Sequence, residues 1–308
     1  MSKKQYVAIS IILLMLMLCS TLTATMPAVK AYDYDYGYAS NLYTTNWMDW
    51  NGNAEHTWTA FTQIANLFSQ KSLWVIYYGY PYYYGPAYGE VTNWGSSATP
   101  YTVYNRIEHV NVYHPDFSTV LYVGHGGPQG FYVHTDYPDN PNIFPPLVSF
   151  AEIQARTQSS PTHQFVLMWV CNGGNNAPPG SPTAWNPLWW SYPPAYPPYT
   201  WVGFNDASPW LCDQMSPGNI FRYWLVFFYY YALNGDYSVM DALNLASVAT
   251  GFQDFGSSVL GGSGRYWTYY PYNHPPYYNQ SGWWTGRMNV CGNPFGTYLP
   301  KDVYIYYP

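Results

Sequence analysis

The chain has 308 residues and carries little charge: only 8% of them are Asp, Glu, Lys or Arg, and the formal net charge is −6. Nucleic-acid binding needs clustered Lys and Arg to displace counterions, and no such cluster is present, so the composition excludes nucleic-acid partners. Tyr, Asn, Ser and Thr must instead supply a polar surface, which suits an extracellular setting. The length allows one large domain or two small ones.

The first 31 residues have the three parts of a secretory signal peptide. Two lysines precede an apolar run from Val7 to Cys19, and small residues, Val29 and Ala31, occupy the −3 and −1 positions of a cleavage site. The apolar run is shorter than the ~20 residues that span a bilayer, which favours a cleaved signal over an anchor helix. We therefore expect a secreted or cell-surface protein, with no other contact with the membrane.

After a flexible segment over 32–53, the first predicted element is an amphipathic helix. Apolar residues recur on one face at helical spacing over 54–70. A short apolar run over 73–78 predicts a strand, and the Pro, Gly and Tyr residues of 79–95 predict a loop. A weaker helix is expected over 102–109.

Three further apolar runs, each followed by a polar or glycine-rich turn, predict buried strands at 119–123, 164–170 and 200–204. Continuous rather than alternating apolar residues are typical of strands in a parallel sheet that helices cover on both faces. A helix is expected over 148–157, between the first two of these strands. A loop rich in Pro and Trp is expected over 175–200.

Two helices with clear start and stop signals follow. Ser216 is a natural N-cap before Pro217, and Asn234-Gly235 supplies a C-terminal stop. Ser238 and Asp241 form a capping box for the second helix, which is expected to reach about residue 250.

The remainder of the chain is loop-rich, with strands expected near 287–290 and at 303–307. Strands that alternate with helices predict an α/β sandwich with a mainly parallel central sheet flanked by helices. No linker forces a second domain, so one domain is expected over 54–308.

Two residues with catalytic potential each follow a predicted buried strand. His125 and Cys171 are separated by enough chain for one helical crossover. Neighbouring parallel strands would place both side chains at the same rim of the sheet, where reactive groups of α/β proteins gather. A nearby imidazole promotes formation of the thiolate, which is the nucleophilic form of cysteine. The backbone N–H groups of Gly126, Gly127 and Cys171 are candidates for holding an oxyanion.

This arrangement resembles the caspase, gingipain and legumain group of cysteine peptidases, in particular its gingipain-like branch. The group's mark is an apolar strand that ends in His-Gly and a second that ends in the nucleophilic Cys. The matching segments of this chain, in order, are 120–126, 165–171, 201–204, the helical stretch 221–246 and the closing segment 292–300. Two departures are Val170, where relatives often have a small residue, and Asn293, which replaces an Asp.

The resemblance implies a caspase-like sandwich and a cysteine endopeptidase that needs no cofactor. Cys171 would attack a peptide carbonyl, and His125 would protonate the leaving amine. Asp206, shortly after the fourth strand, would line a pocket that favours a basic side chain; the alternative is a solvated loop carboxylate. The histidines at 109, 114, 125 and 134 match no compact zinc motif, so no metal site is expected.

The cysteine count constrains this hypothesis. Removal of the signal leaves Cys171, Cys212 and Cys291, an odd number in a compartment where disulfides form. The mechanism needs Cys171 as a reduced thiol. We therefore expect a disulfide between Cys212 and Cys291.

A second class of function stays open from the sequence. A non-catalytic surface protein could use aromatic loops, such as 185–190 and 283–284, to bind cell-envelope glycans or other envelope proteins. In that case the Trp residues would form one exposed platform. A peptidase instead requires His125 and Cys171 close together at the mouth of a cleft that admits a peptide or protein substrate, and side chains facing opposite sides of the sheet would exclude it.

Overall fold

The computed structural model describes the following residues: 38–42, 53–86, 91–93, 98–113, 118–133, 146–157, 165–173, 181–185, 199–205, 207–216, 219–235, 237–251, 259–262, 266–269, 277–279, 282–284, 287–299 and 303–307. The predicted signal peptide and Asp206 lie outside these residues. Among the described residues, no helix is both long and apolar enough to cross a membrane.

The helices and strands alternate along much of the chain. The helices are α1 (Asn53–Ser69), α2 (Pro100–Tyr113), α3 (Phe150–Thr157), α4 (Ser181–Trp185), α5 (Phe221–Asn234) and α6 (Val239–Ala249). The strands are β1 (Tyr38–Leu42), β2 (Ser72–Tyr77), β3 (Tyr80–Pro86), β4 (Val91–Asn93), β5 (Ser118–Val123), β6 (Gly126–Gly127), β7 (Gly130–Tyr132), β8 (Leu147–Ser149), β9 (Phe165–Trp169), β10 (Thr200–Phe204), β11 (Gln214–Ser216), β12 (Asn219–Ile220), β13 (Val259–Gly262), β14 (Tyr266–Tyr269), β15 (Tyr277–Asn279), β16 (Gly282–Trp284), β17 (Met288–Gly292) and β18 (Val303–Tyr307).

The central sheet has the strand order β13-β14-β17-β10-β9-β5-β1-β4. Neighbours from β4 to β10 run parallel, and the pairs from β10 to β13 run antiparallel. Because β5, β9 and β10 are parallel neighbours, their carboxyl ends meet at one edge of the sheet. The predicted α/β architecture with a mainly parallel central sheet is confirmed.

Helices cover both faces of this sheet and bury two separate cores. One core, the α5 face, joins the central strands to α1, α5 and α6, and the other, the α3 face, joins them to α2, α3 and α4. Along β9, Phe165, Leu167 and Trp169 pack on the α5 face, while Val166 and Met168 pack on the α3 face. Each side chain of this size contributes roughly 1.5–3 kcal/mol when it is buried, so the continuous apolar run of β9 stabilises both layers.

The predicted loop at 79–95 is wrong in two places, because it contains β3 and also β4, which is an edge strand of the central sheet. Tyr80–Pro86 forms β3, which pairs with β2, and β18 completes a separate three-stranded sheet. Tyr78 and Gly79, with φ of 50° and 84°, make the two-residue turn between β2 and β3. β3 is an edge strand, where the missing N–H of proline is tolerated, and its tyrosines favour extended backbone.

The predicted start of α5 is also wrong. Gln214–Ser216 pairs with Asn219–Ile220 as a small hairpin, and the helix begins at Phe221. The N–H of Phe221 donates to the carbonyl of Asp213 at 3.1 Å, so a preceding turn rather than Ser216 caps the helix. The next start signal is confirmed, since Ser238 Oγ accepts the N–H of Asp241 at 3.2 Å.

The segment expected to be flexible, 32–53, contributes a strand to the central sheet. Tyr38–Leu42 forms β1, which lies between β4 and β5 and pairs in parallel with both. The helix expected at 102–109 is longer than its apolar pattern indicated and spans Pro100–Tyr113.

Candidate active site

His125 and Cys171 follow the ends of two neighbouring parallel strands. Val123 of β5 is in register with Trp169 of β9, and the N–H of Gly124 continues the ladder by donating to the Trp169 carbonyl at 3.2 Å. His125 and Cys171 each lie two residues beyond this register pair. Both residues therefore leave the sheet from neighbouring strands at its carboxyl edge.

Alternation along the strands relates both residues to the same face of the sheet. Val123 and Trp169 pack on the α5 face. Gly126 and Val170 meet on the other face, where a Cβ on Gly126 would lie 2.8 Å from the Val170 Cβ. Successive residues of an extended strand face opposite sides, so continued alternation beyond the strand ends would put His125 and Cys171 on the α5 side.

The backbone of His125 is anchored by a buried tyrosine. The Tyr132 N–H donates to the His125 carbonyl at 2.9 Å, and the Tyr122 hydroxyl lies 3.5 Å from the same carbonyl. The Tyr122 hydroxyl also donates to the Tyr132 carbonyl. The imidazole itself reaches solvent. Protein packed around the ring nevertheless lowers the pKa of His125 below its ordinary value, because burial disfavours the imidazolium.

The two glycines after His125 differ in what their N–H groups can do. Gly126–Gly127 forms β6, which pairs with β7 in a tight antiparallel hairpin. Hydrogen-bonded and non-bonded pairs alternate in such a hairpin, and the His125–Tyr132 pair is bonded. The Gly127–Gly130 pair is therefore also bonded, whereas the Gly126 N–H lies outside the ladder. Of the two glycines, only Gly126 keeps an N–H that the hairpin does not use.

Cys171 lies in a turn whose backbone is unusual immediately after the cysteine. Asn172 adopts φ of 55°, in the left-handed region that few residues other than glycine occupy. Cys171 is half-buried.

Val170, the bulky residue before Cys171, fits because two glycines flank it in space. A Cβ on Gly173 would lie 2.7 Å from the Val170 Cγ2, and its next nearest neighbour is 3.6 Å away. A Cβ on Gly126 would meet both the Cβ and Cγ2 of Val170 at 2.8 Å. Relatives often have a small residue at this position, and the bulkier Val170 fits here because Gly126 and Gly173 have no side chains.

A double-mutant cycle tests this fit. Gly173→Ala is expected to lower the free energy of unfolding by about 1–3 kcal/mol, because its methyl group overpacks Val170. Val170→Ala removes the Cγ2 in question, so the Gly173→Ala/Val170→Ala variant should lose less than the sum of the single losses. Urea unfolding measures all three values. Gly126→Ala is the matched control. Its methyl group would meet both the Cβ and the Cγ2 of Val170, and because Val170→Ala keeps the Cβ, that substitution should relieve the Gly126→Ala clash only in part. Strictly additive losses of stability in the Gly173 cycle would contradict the fit.

The expected disulfide between Cys212 and Cys291 is wrong: no disulfide joins them. Cys291 is fully buried on β17 and packs on the α3 face. Cys212 directly follows Leu211, which packs on the α5 face. The central sheet separates these two cores. Burial also raises the pKa of the Cys291 thiol well above its usual range, so this cysteine is poorly reactive.

The second departure, Asn293, lies far from the proposed chemistry. Its N–H donates to the Tyr199 carbonyl at 2.7 Å, next to the first residue of β10. Its Oδ1 accepts the N–H of Gly296 at 3.1 Å, a role that an amide oxygen fills as well as a carboxylate does. Asn293 therefore closes a turn at the amino end of β10, at the opposite edge of the sheet from Cys171.

Other predicted site residues stand as follows. Asp206 lies outside the described residues. Trp185, the first residue of one proposed aromatic loop, is fully buried and stacks near Phe131, so it is wrong as part of an exposed platform. Within the described part of the chain, no group of His, Cys, Asp and Glu side chains could hold a metal ion.

Comparisons with known proteins show distant similarity to solved structures. No family model matches the chain, and no curated protein matches it. Among solved structures, the chain is similar to a secreted C11 cysteine protease from Bacteroides thetaiotaomicron, solved in complex with an irreversible peptide inhibitor. The identity is 12%, the match covers 75% of each chain, and the TM-score is 0.33. A TM-score of this size does not establish a shared fold.

Proposed function

We propose that this protein is an exported cysteine endopeptidase in which Cys171 is the nucleophile and His125 is the acid–base partner. The observation that supports the proposal is the register of β5 and β9, whose last pair, Val123 and Trp169, lies two residues before His125 and two residues before Cys171. A thiol and an imidazole so placed form the minimal unit for acyl transfer through a thioester. Export rests on the signal-like sequence of residues 1–31.

The reaction has two halves. His125 takes the proton of the Cys171 thiol as the sulfur attacks the peptide carbonyl, and the imidazolium then gives this proton to the leaving amine. The C–N bond breaks and a thioester with Cys171 remains. Water, deprotonated by His125, attacks the thioester; the carboxylic acid leaves and the proton returns to the sulfur. Acid–base assistance of this kind contributes about 10²–10⁴-fold to the rate.

The lowered pKa of His125 fits its role as the base. An imidazole whose charged form is disfavoured stays neutral at neutral pH and can accept a proton from the thiol. The N–H of Gly126, outside the hairpin ladder, and that of Cys171 are the groups assigned to the oxyanion. Each such donor is worth about 2.7–4 kcal/mol of transition-state stabilisation in enzymes where it has been removed.

Site-resolved labelling tests the proposal. The mature protein is treated with a short peptide that ends in a chloromethyl ketone, and the modified cysteine is located by mass spectrometry. We expect modification at Cys171 and none at the buried Cys291. Peptides ending in Arg and in Asp are compared, because the pocket assigned to Asp206 favours the basic one.

Iodoacetamide, which carries no peptide, is the matched control for simple exposure. A cysteine selected only by accessibility would react with both reagents to a similar extent. A peptidase site should prefer the peptide reagent at Cys171 and show no such preference at Cys212. Peptide labelling of Cys212 with Cys171 left unmodified would contradict the proposal.

A second candidate function rests on one surface feature. Tyr78, Tyr80, Tyr82 and Tyr83, at the β2–β3 hairpin, expose 84%, 69%, 56% and 61% of their surface. Exposed aromatic rings stack on neutral sugars. In the second candidate function, a glycan-binding surface protein, this hairpin rather than the Trp loops would therefore be the binding surface. A folded protein that reacts with no peptide reagent at Cys171 would favour this candidate over the peptidase.

A further inference from the structure

The Cys171 sulfur has a polar neighbour that the sequence did not single out. The backbone N–H of Ser208 donates to the Cys171 Sγ at 3.4 Å, and the Ser208 Oγ lies 3.6 Å from the same sulfur. Both distances are within the range of hydrogen bonds to sulfur. Ser208 thus brings a donor and a hydroxyl to the atom that the proposed reaction uses as its nucleophile.

The segment that carries Ser208 is fixed from both sides. The indole N–H of Trp169, on the same strand end as Cys171, donates to the Pro209 carbonyl at 2.7 Å. The N–H of Trp210 donates to the Asp213 carboxylate at 2.8 Å, which closes the following turn. Trp169 is fully buried, so its hydrogen bond is protected from water. Ser208 is therefore held against the sulfur without further rearrangement.

We propose that Ser208 is a third residue of the site, which stabilises the Cys171 thiolate through its N–H and its hydroxyl; this inference rests on the proposed function. A thiolate has no proton to donate, so in that state both Ser208 groups must be the donors. Hydrogen bonds to a charged acceptor are about twice as strong as bonds between neutral groups. Formation of the thiolate would tighten both contacts.

The state of His125 gives this role a purpose. Burial disfavours the imidazolium, so the ion pair that often stabilises a catalytic thiolate is weakened here. Fixed donors on the sulfur replace part of that stabilisation. They act without moving, because the loop is already held by Trp169.

Rates of alkylation test the inference without any need for peptidase activity. Iodoacetamide is reacted at neutral pH with the full mature chain, and modification of Cys171 is followed by mass spectrometry. Ser208→Ala should slow this reaction by about tenfold, the effect of losing one hydrogen bond to a charged group. Ser208→Thr keeps the hydroxyl and should restore most of the rate.

Two internal readouts separate chemistry from structure. The alkylation rate of Cys212 and the thermal unfolding midpoint should be the same in wild type and in both variants. If Ser208→Ala disturbs the loop, the comparison is repeated with Ser208→Gly. Alkylation of Cys171 at the wild-type rate in Ser208→Ala would overturn the inference, and so would Ser208→Thr as slow as Ser208→Ala. If the peptide reagent fails to label the wild-type protein, only the proposed function is overturned. The role of Ser208 is judged by the difference in alkylation rate, which does not depend on peptide labelling.

Discussion

Replacing Cys171 with alanine is expected to lower kcat/KM on a peptide substrate by about 10⁴-fold or more, because it removes the group proposed to form the acyl intermediate. Cys291 cannot substitute, since it is fully buried on the α3 face. Cys212 follows a residue of the α5 core and is not part of the strand-end pair. What activity remains would come from substrate binding and the oxyanion donors.

His125→Ala extends the same prediction. It should lower kcat/KM by about 10²–10⁴-fold, the usual contribution of a general acid–base group. The Cys171→Ala/His125→Ala variant should be no worse than Cys171→Ala, because residues that act as one unit do not add their effects. Cleavage of a peptide with a fluorescent leaving group measures all three variants.

The matched control is Cys212→Ala, which removes a half-buried thiol but leaves the strand-end pair intact. It should keep wild-type kcat/KM. Cys171→Ala that retains peptidase activity, in protein freed of contaminating enzymes by the same purification, would refute the assignment of the nucleophile.

Gly292→Ala is expected to cost about 3 kcal/mol or more of the free energy of unfolding. Gly292 adopts φ of 104°, which L residues rarely occupy, and a Cβ there would lie 2.0 Å from the Tyr199 carbonyl oxygen. The obstacle is the backbone of Tyr199, immediately before strand β10, so neither a rotamer change nor a small shift relieves it. Strain and overpacking together place this substitution among the severe ones.

Urea unfolding measures the loss, and two other glycines separate its causes. Gly79 has φ of 84° but open space around it, so Gly79→Ala should show only the cost of conformational strain. Gly127 has open space and no positive φ, so Gly127→Ala should change stability by less than about 1 kcal/mol. A Gly292→Ala protein as stable as Gly79→Ala would show that the clash with Tyr199 is relieved.

The central layers were predictable because burial on both faces leaves a direct mark on the sequence. The runs at 119–123, 164–170 and 200–204 became β5, β9 and β10 almost residue for residue. The parallel pairing of β5 with β9 was also predictable, and His125 and Cys171 follow the last register pair of these strands at equal offsets. The proposed chemistry was inferred from these strand ends rather than from any local motif.

The errors share a different cause, which is dependence on distant contacts. Pro and Gly in Tyr80–Pro86 indicate a loop locally, but pairing with β2 makes this segment an edge strand. Ser216 has the local signature of a cap, yet the hairpin of β11 and β12 takes it away from the helix. Pairing Cys212 with Cys291 used only the number of cysteines, and a count carries no information on which face of the sheet each one lies.

Ser208 left no signal because nothing in its neighbourhood distinguishes it from other loop serines. Its position depends on Trp169, which is distant in sequence, and on the buried hydrogen bond to the Pro209 carbonyl. An apolar run that ends in Trp predicts a buried strand residue. It does not predict that the indole N–H of this Trp will donate a hydrogen bond to the loop that carries Ser208.

That single indole hydrogen bond ties the chemistry to the completion of folding. In a chain that has not yet assembled β9, β10 and the loop after it, Cys171 lacks its fixed donors and is an ordinary thiol. The proposed stabilisation of the Cys171 thiolate therefore arrives only with the finished core.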